Sequence, residues 1–248
     1  MLRLASLGLS LLRHPLSWLG AALAVFFSQE LLWGKVFSPA DLLYSYQPWA
    51  SIRPAGWAHP LNYLRTDEVL IGLPRRLATA RDLSAHGLGF WQQHTLVGTE
   101  TTLSLHYLGA LLWPPMWGFW VLPPAAANTL FHLPIPLAAG IAMWLLLRRL
   151  TPCRPAQALG SVMWALSGYL VVWLSAFSLP LVTGILPALV WLGIEVLDRP
   201  RRLSLAGYVL LLAWSFSPAY PPANVLDAVA LTAFFAVYGP WRHRAGAL

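Results

Sequence analysis

LSLHYLGALLWPPMWGFWVL, residues 103–122, is the stretch on which the fold turns. It is apolar and long enough to cross a bilayer core of about 30 Å, which takes ~20 residues of helix. It also contains Pro114-Pro115 and a run of aromatics, Tyr107, Trp113, Trp117, Phe119 and Trp120. If it spans, the next apolar run, residues 125–147, points outward and carries Arg148, Arg149 and Arg154 outside. If it is re-entrant or interfacial, that run points inward. Further apolar runs lie at 156–177, 180–197, 203–217 and 223–238, after a first one at 16–37. The second arrangement then gathers ten arginines on one side: Arg3, Arg13, Arg148, Arg149, Arg154, Arg199, Arg201, Arg202, Arg242 and Arg244. Basic residues accumulate on the cytoplasmic side of membrane proteins, and a double proline among aromatics fits an interfacial element. The expectation is an all-α, polytopic helical membrane protein of about six transmembrane helices. Both termini are cytoplasmic, and residues 38–124 form one long extracytoplasmic loop of interfacial helices.

Composition points the same way. The 248 residues are 58% hydrophobic and 10% charged, with a mean hydropathy of +0.60, whereas a soluble domain is about one quarter charged. A net charge of +7 is a nucleic-acid signal only when the basic residues form a surface. Here they sit in short clusters between apolar runs, so no nucleic-acid partner is expected. The single cysteine, Cys153, excludes an internal disulfide and a cysteine-based metal cluster. Residues 1–15 read as a basic cytoplasmic lead-in. Without a small-residue cleavage site after it, the run at 16–37 reads as a retained signal anchor. Residues 1–248 form a single membrane domain, placed in the plasma (inner) membrane. Glu30 near the end of the first span is costly in lipid, so it faces protein, headgroups or Lys35. Asp227 poses the same question in the last span. Gly160, Ser161, Ser167 and Gly168 point to close helix packing.

The polar stretch 38–103 contains Asp41, Asp67, Glu68, Asp82 and Glu100, five of the nine acidic residues, together with five arginines and three histidines. About 66 residues with few apolar faces make a marginal independent core. They read instead as short helices lying along the membrane.

Four segments carry a family resemblance. They are PADLLYSYQPW (39–49), NYLRTDEVLIGLP (62–74), GLGFWQQHTLVGTET (87–101) and WALSGYLVVWLSAFSLPLVTGILPALVWLGIE (164–195). Their order resembles the N-terminal portion of the YfhO-like bacterial membrane proteins, which belong with the GT-C-type glycosyltransferases. The chain departs from the family pattern at Trp91-Gln92-Gln93, where W-N-P is usual, and at Gly98-Thr99-Glu100, where G-x-P is usual. Family members are longer, so the resemblance implies a fragment or reduced member. It also implies transfer of a sugar from a polyprenyl-phosphate carrier to an extracytoplasmic glycan, polymer or lipid acceptor, in the cell envelope. The alternative class is a non-enzymatic binding, transport or scaffold subunit for lipid-linked glycans. A transporter would show internal repeats and polar groups at mid-membrane, and no clear repeat is seen.

Such a transfer needs a carboxylate to deprotonate the acceptor hydroxyl and cations to hold the departing phosphate. Asp41, just beyond the first span, and Asp67, in the family-like motif, are the candidate bases. Glu68 is the third acid, although neighbours in a helix do not share a face. Arg65, Arg75 and Arg76 offer the guanidinium fork that suits phosphate; the duller role is anchoring to headgroups. His94 is a further phosphate ligand. A divalent metal is the other way to hold phosphate, but His94 and His106 lack the close spacing of a metal motif. Trp91 and Tyr107 are candidates for stacking on a sugar, or members of the interfacial belt.

Overall fold

The structure, a computed structural model, describes residues 14–57, 65–87, 91–92, 99–100, 111–176, 178–217 and 221–245. It is almost wholly helical. In chain order the α-helices are α1 (Pro15–Phe26), α2 (Ser28–Trp33), α3 (Leu73–His86), α4 (Pro124–His132), α5 (Pro134–Leu150), α6 (Arg154–Ala165), α7 (Gly168–Val172), α8 (Ser178–Gly184), α9 (Leu186–Asp198), α10 (Arg202–Phe216) and α11 (Pro221–Ala245). Two-residue strands, β1 (Trp91–Gln92) and β2 (Thr99–Glu100), pair antiparallel, with Trp91 opposite Glu100.

Among the described residues, three stretches are long and apolar enough to cross a membrane: Pro124–Leu150, Arg154–Val172 and Leu179–Asp198. Pro15–Phe26, Arg202–Phe216 and Asn224–Gly239 are apolar but shorter. The first expected span, 16–37, is therefore not one continuous helix. It breaks at Phe27, whose backbone sits at φ −96° and ψ 23°, restarts as α2, and stops at Gly34 in the left-handed region at φ 62°. Lys35 at its end donates to Gln29 Oε1 at 2.6 Å. The described part of 103–122, residues 111–122, holds a seven-residue 3-10 helix, Pro114–Trp120. Proline at its start and the tight 3-10 geometry keep it short.

Proline interrupts two of the membrane-length stretches, and an indole N–H meets the carbonyl at each break. Pro187 has no N–H, and Ala188 bonds back to the Ile185 carbonyl at 2.9 Å. The Gly184 carbonyl accepts instead from Trp164 Nε1 at 3.0 Å. At the α4–α5 junction, Pro134 and Pro136 remove two donors, and the Phe131 carbonyl accepts from Trp113 Nε1 at 2.9 Å. A bare carbonyl in an apolar setting costs several kcal/mol, so each indole satisfies a carbonyl beside the break.

The core forms where α1, α5, α6 and α8 meet. Leu19, Leu23 and Phe27 pack against Ile135, Ala165, Leu174, Leu181 and Ile185. Gly140 permits this approach, because a Cβ there would stand 2.6 Å from both methyls of the fully buried Leu19 and 3.2 Å from Ala165. Small residues at such crossings let helix backbones close in where lipid offers no hydrophobic drive. On the far side, Leu189, Val190 and Ile194 of α9 pack with Leu231 of α11. Outward faces stay apolar: Leu203 is 84% exposed and Leu226 70%, as lipid-facing surfaces require.

One end carries the arginines that flank α5, α9 and α10: Arg148, Arg149, Arg199, Arg201 and Arg202. Arg149, in the last turn of α5, pairs with Asp198 at 2.7 Å and Glu195 at 3.3 Å at the end of α9. Tyr238 of α11 donates to the same Asp198 carboxylate at 3.0 Å. Arg149, Glu195, Asp198 and Tyr238 thus form one polar cluster that ties the ends of α5, α9 and α11 together. Replacing Gly140 by leucine overfills the α1–α5 crossing, a class of change that costs about 1–3 kcal/mol. We expect a lowered unfolding temperature in detergent; an unchanged transition would contradict the close approach.

Candidate functional site

The opposite end of the bundle is organised by Glu68, Gly72 and Arg76. The chain forms a π-turn over Glu68–Gly72 before α3 begins, closed by the Leu73 N–H on the Glu68 carbonyl. In a regular α-helix, residues eight apart are offset by roughly 80°. The extra residue absorbed by a π-turn brings Glu68 and Arg76 onto nearly one face. Gly72 lies between them, and a Cβ there would stand 2.6 Å from Glu68 Oε2 and 3.3 Å from Arg76 Nη1. The two side chains meet across this gap, Arg76 Nη2 donating to Glu68 Oε1. Both are buried, Glu68 5% exposed and Arg76 8%.

Helix α4 completes the cluster. Arg76 Nη2 also donates to Asn128 Oδ1 at 2.8 Å. Asn128 Nδ2 donates to the Phe37 carbonyl at 3.0 Å, and the Phe37 N–H donates to Thr129 Oγ1 at 3.0 Å. One turn on, the fully buried His132 holds its Nδ1 2.8 Å from the Asn128 carbonyl. That contact makes Nδ1 the protonated nitrogen. Nε2 is then an acceptor, 3.9 Å from Glu68 Oε1. The guanidinium of Arg76 lies 4.6 Å from the Phe131 ring. Burial pushes the Glu68 carboxyl above its ordinary range, opposed by the Arg76 charge and by hydrogen bonds from Asn128 and Arg76. Burial also pushes Arg76 down, opposed by Glu68.

Beside this cluster a cleft of about 290 Å³ opens. Arg65, Asp67, Glu68, Ile71, Gly72 and Arg76 form one wall, and Val172, Trp173, Ser175 and Ala176 the other. Asp67 is exposed at its edge. Arg65 lines it with an Nε that has no hydrogen-bond partner among the described residues. Trp173 faces it, 41% exposed.

Of the residues singled out in the sequence, Arg65, Asp67, Glu68 and Arg76 come together here. Glu68 and Arg76 are committed to each other, so neither is free to serve a substrate. Asp41 does not line the cleft; it is exposed on the 3-10 helix Ala40–Ser45, which Leu42 anchors. Arg75 is exposed on α3. Trp91 lies on β1, and His94 and Tyr107 fall outside the described residues. Among the described residues, no three His, Cys, Asp or Glu side chains gather as metal ligands. Asn128, His132, Trp173 and Ser175 were not legible as site residues. The available signal was Asn128 and His132, polar groups four apart in an apolar run, which default to function in a membrane helix.

No protein-family model matches the chain, and no curated protein or solved structure matches it either. Removing one partner of a buried ion pair costs about 3–5 kcal/mol, whereas replacing both by apolar groups is often neutral. Glu68→Ala should therefore lower stability by that amount, and Glu68→Leu combined with Arg76→Met should recover most of it. Thermal unfolding of the purified protein reads both; a harmless Glu68→Ala would refute the structural role of the pair.

Proposed function

We propose that the protein is a GT-C-like membrane glycosyltransferase, or the N-terminal part of one. It moves a sugar from a polyprenyl-phosphate carrier to a glycan, polymer or lipid acceptor on the extracytoplasmic side. The observation that carries this reading is the cleft, where an exposed carboxylate and a guanidinium face a tryptophan next to the membrane-length helices. Asp67 is the base. It takes the proton of the acceptor hydroxyl while that oxygen bonds to the anomeric carbon. The bond from that carbon to the phosphate oxygen breaks, and the electron pair leaves with the phosphate. Arg65 holds the released charge. Trp173 offers the sugar a flat apolar wall, and the Glu68–Arg76 pair holds Asp67 at the cleft edge.

Sidedness follows in the same proposal. Asn128 and Arg149 stand at opposite ends of Pro124–Leu150, roughly 30 Å apart at 1.5 Å per residue. The arginine-rich end is cytoplasmic, both termini lie there, and the cleft opens on the other face of a bacterial plasma membrane. Six spans complete the arrangement, the three shorter apolar helices joining the three long ones. A second reading, a non-enzymatic subunit that binds lipid-linked glycans, draws on the commitment of Glu68 to Arg76, which leaves Asp67 as the one exposed carboxylate of the cleft among the described residues.

Two measurements test this. Membranes bearing the chain should transfer label from polyprenyl-phosphate sugars. Asp67→Asn should lose about 10²–10⁴-fold of that rate, and Asp41→Asn should keep it. A folded, inserted protein without transfer favours the binding subunit. For sidedness, the exposed Cys153 should resist an impermeant maleimide in intact cells and react after permeabilisation. In a Cys153→Ala background, Asp67→Cys should react in intact cells. Both positions reacting from one side would overturn the topology.

A further inference from the structure

Helices α1 and α6 leave an apolar groove of about 1080 Å³ between them, bounded by Pro15 to Phe26 on one side and Arg154 to Leu166 on the other. It exceeds the roughly 300–1,000 Å³ of ordinary small-molecule pockets. Small side chains, Ala22 and Ala158, keep it open, and Trp18 and Leu159 rim it, 57% and 62% exposed. Among the described residues, Arg154 is the one charged residue that lines it. It begins α6 at the arginine-rich end, is exposed, and has no ion-pair partner among the described residues. Nearby Arg149, by contrast, is neutralised by Glu195 and Asp198.

We propose that this groove binds an anionic membrane phospholipid, its phosphate on Arg154 and its acyl tail along α1 and α6. Length and charge choose this occupant. Each wall runs about 16–18 Å at 1.5 Å per residue, little more than half the ~30 Å of a hydrocarbon core. That suits the tail of one leaflet and is too short to seat a spanning partner helix along its length. An unpaired guanidinium at the mouth matches a negative headgroup, and it forms a bidentate pair with phosphate. Trp18 has the amphipathic ring that settles at headgroup level. The inference does not depend on the chemistry of the cleft.

Native mass spectrometry of the full chain in detergent, offered phosphatidylglycerol or phosphatidylcholine with identical tails, tests it. The native chain should retain phosphatidylglycerol about fivefold better, the effect of one arginine at an anionic surface. Arg154→Gln should bring the two lipids close to parity, while Ala158→Trp should reduce retention of both. Should Ala158→Trp fail to fold, Leu159→Trp at the exposed rim fills the same space. Equal retention by the native chain, or a preference that survives Arg154→Gln, overturns the proposal. So does a dimer that dissociates when the groove is filled, which would assign the groove to a second copy.

Discussion

The buried contact between Glu68 and Arg76 is the constraint from which the rest of this end of the molecule follows. Two charges leave water together, and each would be costly alone. Their pairing requires the π-turn, which sets the angular phase of Arg76, and Gly72, whose missing side chain lets the carboxylate cross. Arg76 then reaches Asn128, and Asn128 reaches the Phe37 backbone. A single chain of polar contacts thus fastens α3, the segment after α2 and α4 to one another. The same pair lines the cleft, whose other wall is Val172, Trp173, Ser175 and Ala176.

The same economy of polar groups runs through the apolar bundle. Beside two proline breaks a carbonyl accepts an indole N–H, Trp164 to Gly184 and Trp113 to Phe131. Trp120 Nε1 also donates to the Ala80 carbonyl, within the unbroken α3. Tryptophan suits this role because its body is apolar and its single donor points outward from one edge. The tryptophan-rich composition therefore has a structural use beyond an interfacial belt. It fastens the layer of short helices to the bundle, with Met116, Phe119, Ala127 and Phe131 packing under Ala80.

The two ends of the bundle differ in kind. At one, Arg149 is matched by Glu195 and Asp198, and Arg148, Arg199, Arg201 and Arg202 nearby carry no ion pair among the described residues. At the other, acids and arginines occur in balance, partly buried and partly lining the cleft. A membrane protein with this polarity meets anionic lipid at its basic end and lipid-linked substrate at its balanced end under the proposed assignment. The α1–α6 groove and the cleft are separate features, one apolar with a cation at its mouth, the other polar with a tryptophan opposite.

The apolar runs at 125–147, 156–177 and 180–197 were legible because membrane-scale hydrophobicity is a local property of about 20 consecutive residues. They emerge as Pro124–Leu150, Arg154–Val172 and Leu179–Asp198. The clustering of arginines between runs was legible for the same reason, being a matter of linear order. Asp67, Glu68 and Arg65 stood out by charge in an otherwise apolar chain. Composition could not tell which acid is sequestered: Asp67 and Glu68 are neighbours, and only the helical phase separates an exposed carboxylate from a buried one. Nor could it reveal that Asn128, 52 residues from Arg76, closes the cluster, or that Asp41 lies away from the cleft. Linear order thus determined where the chain is apolar and where it is charged. Tertiary structure alone decided which charges meet, because a buried ion pair is selected by the shape and the partners around it.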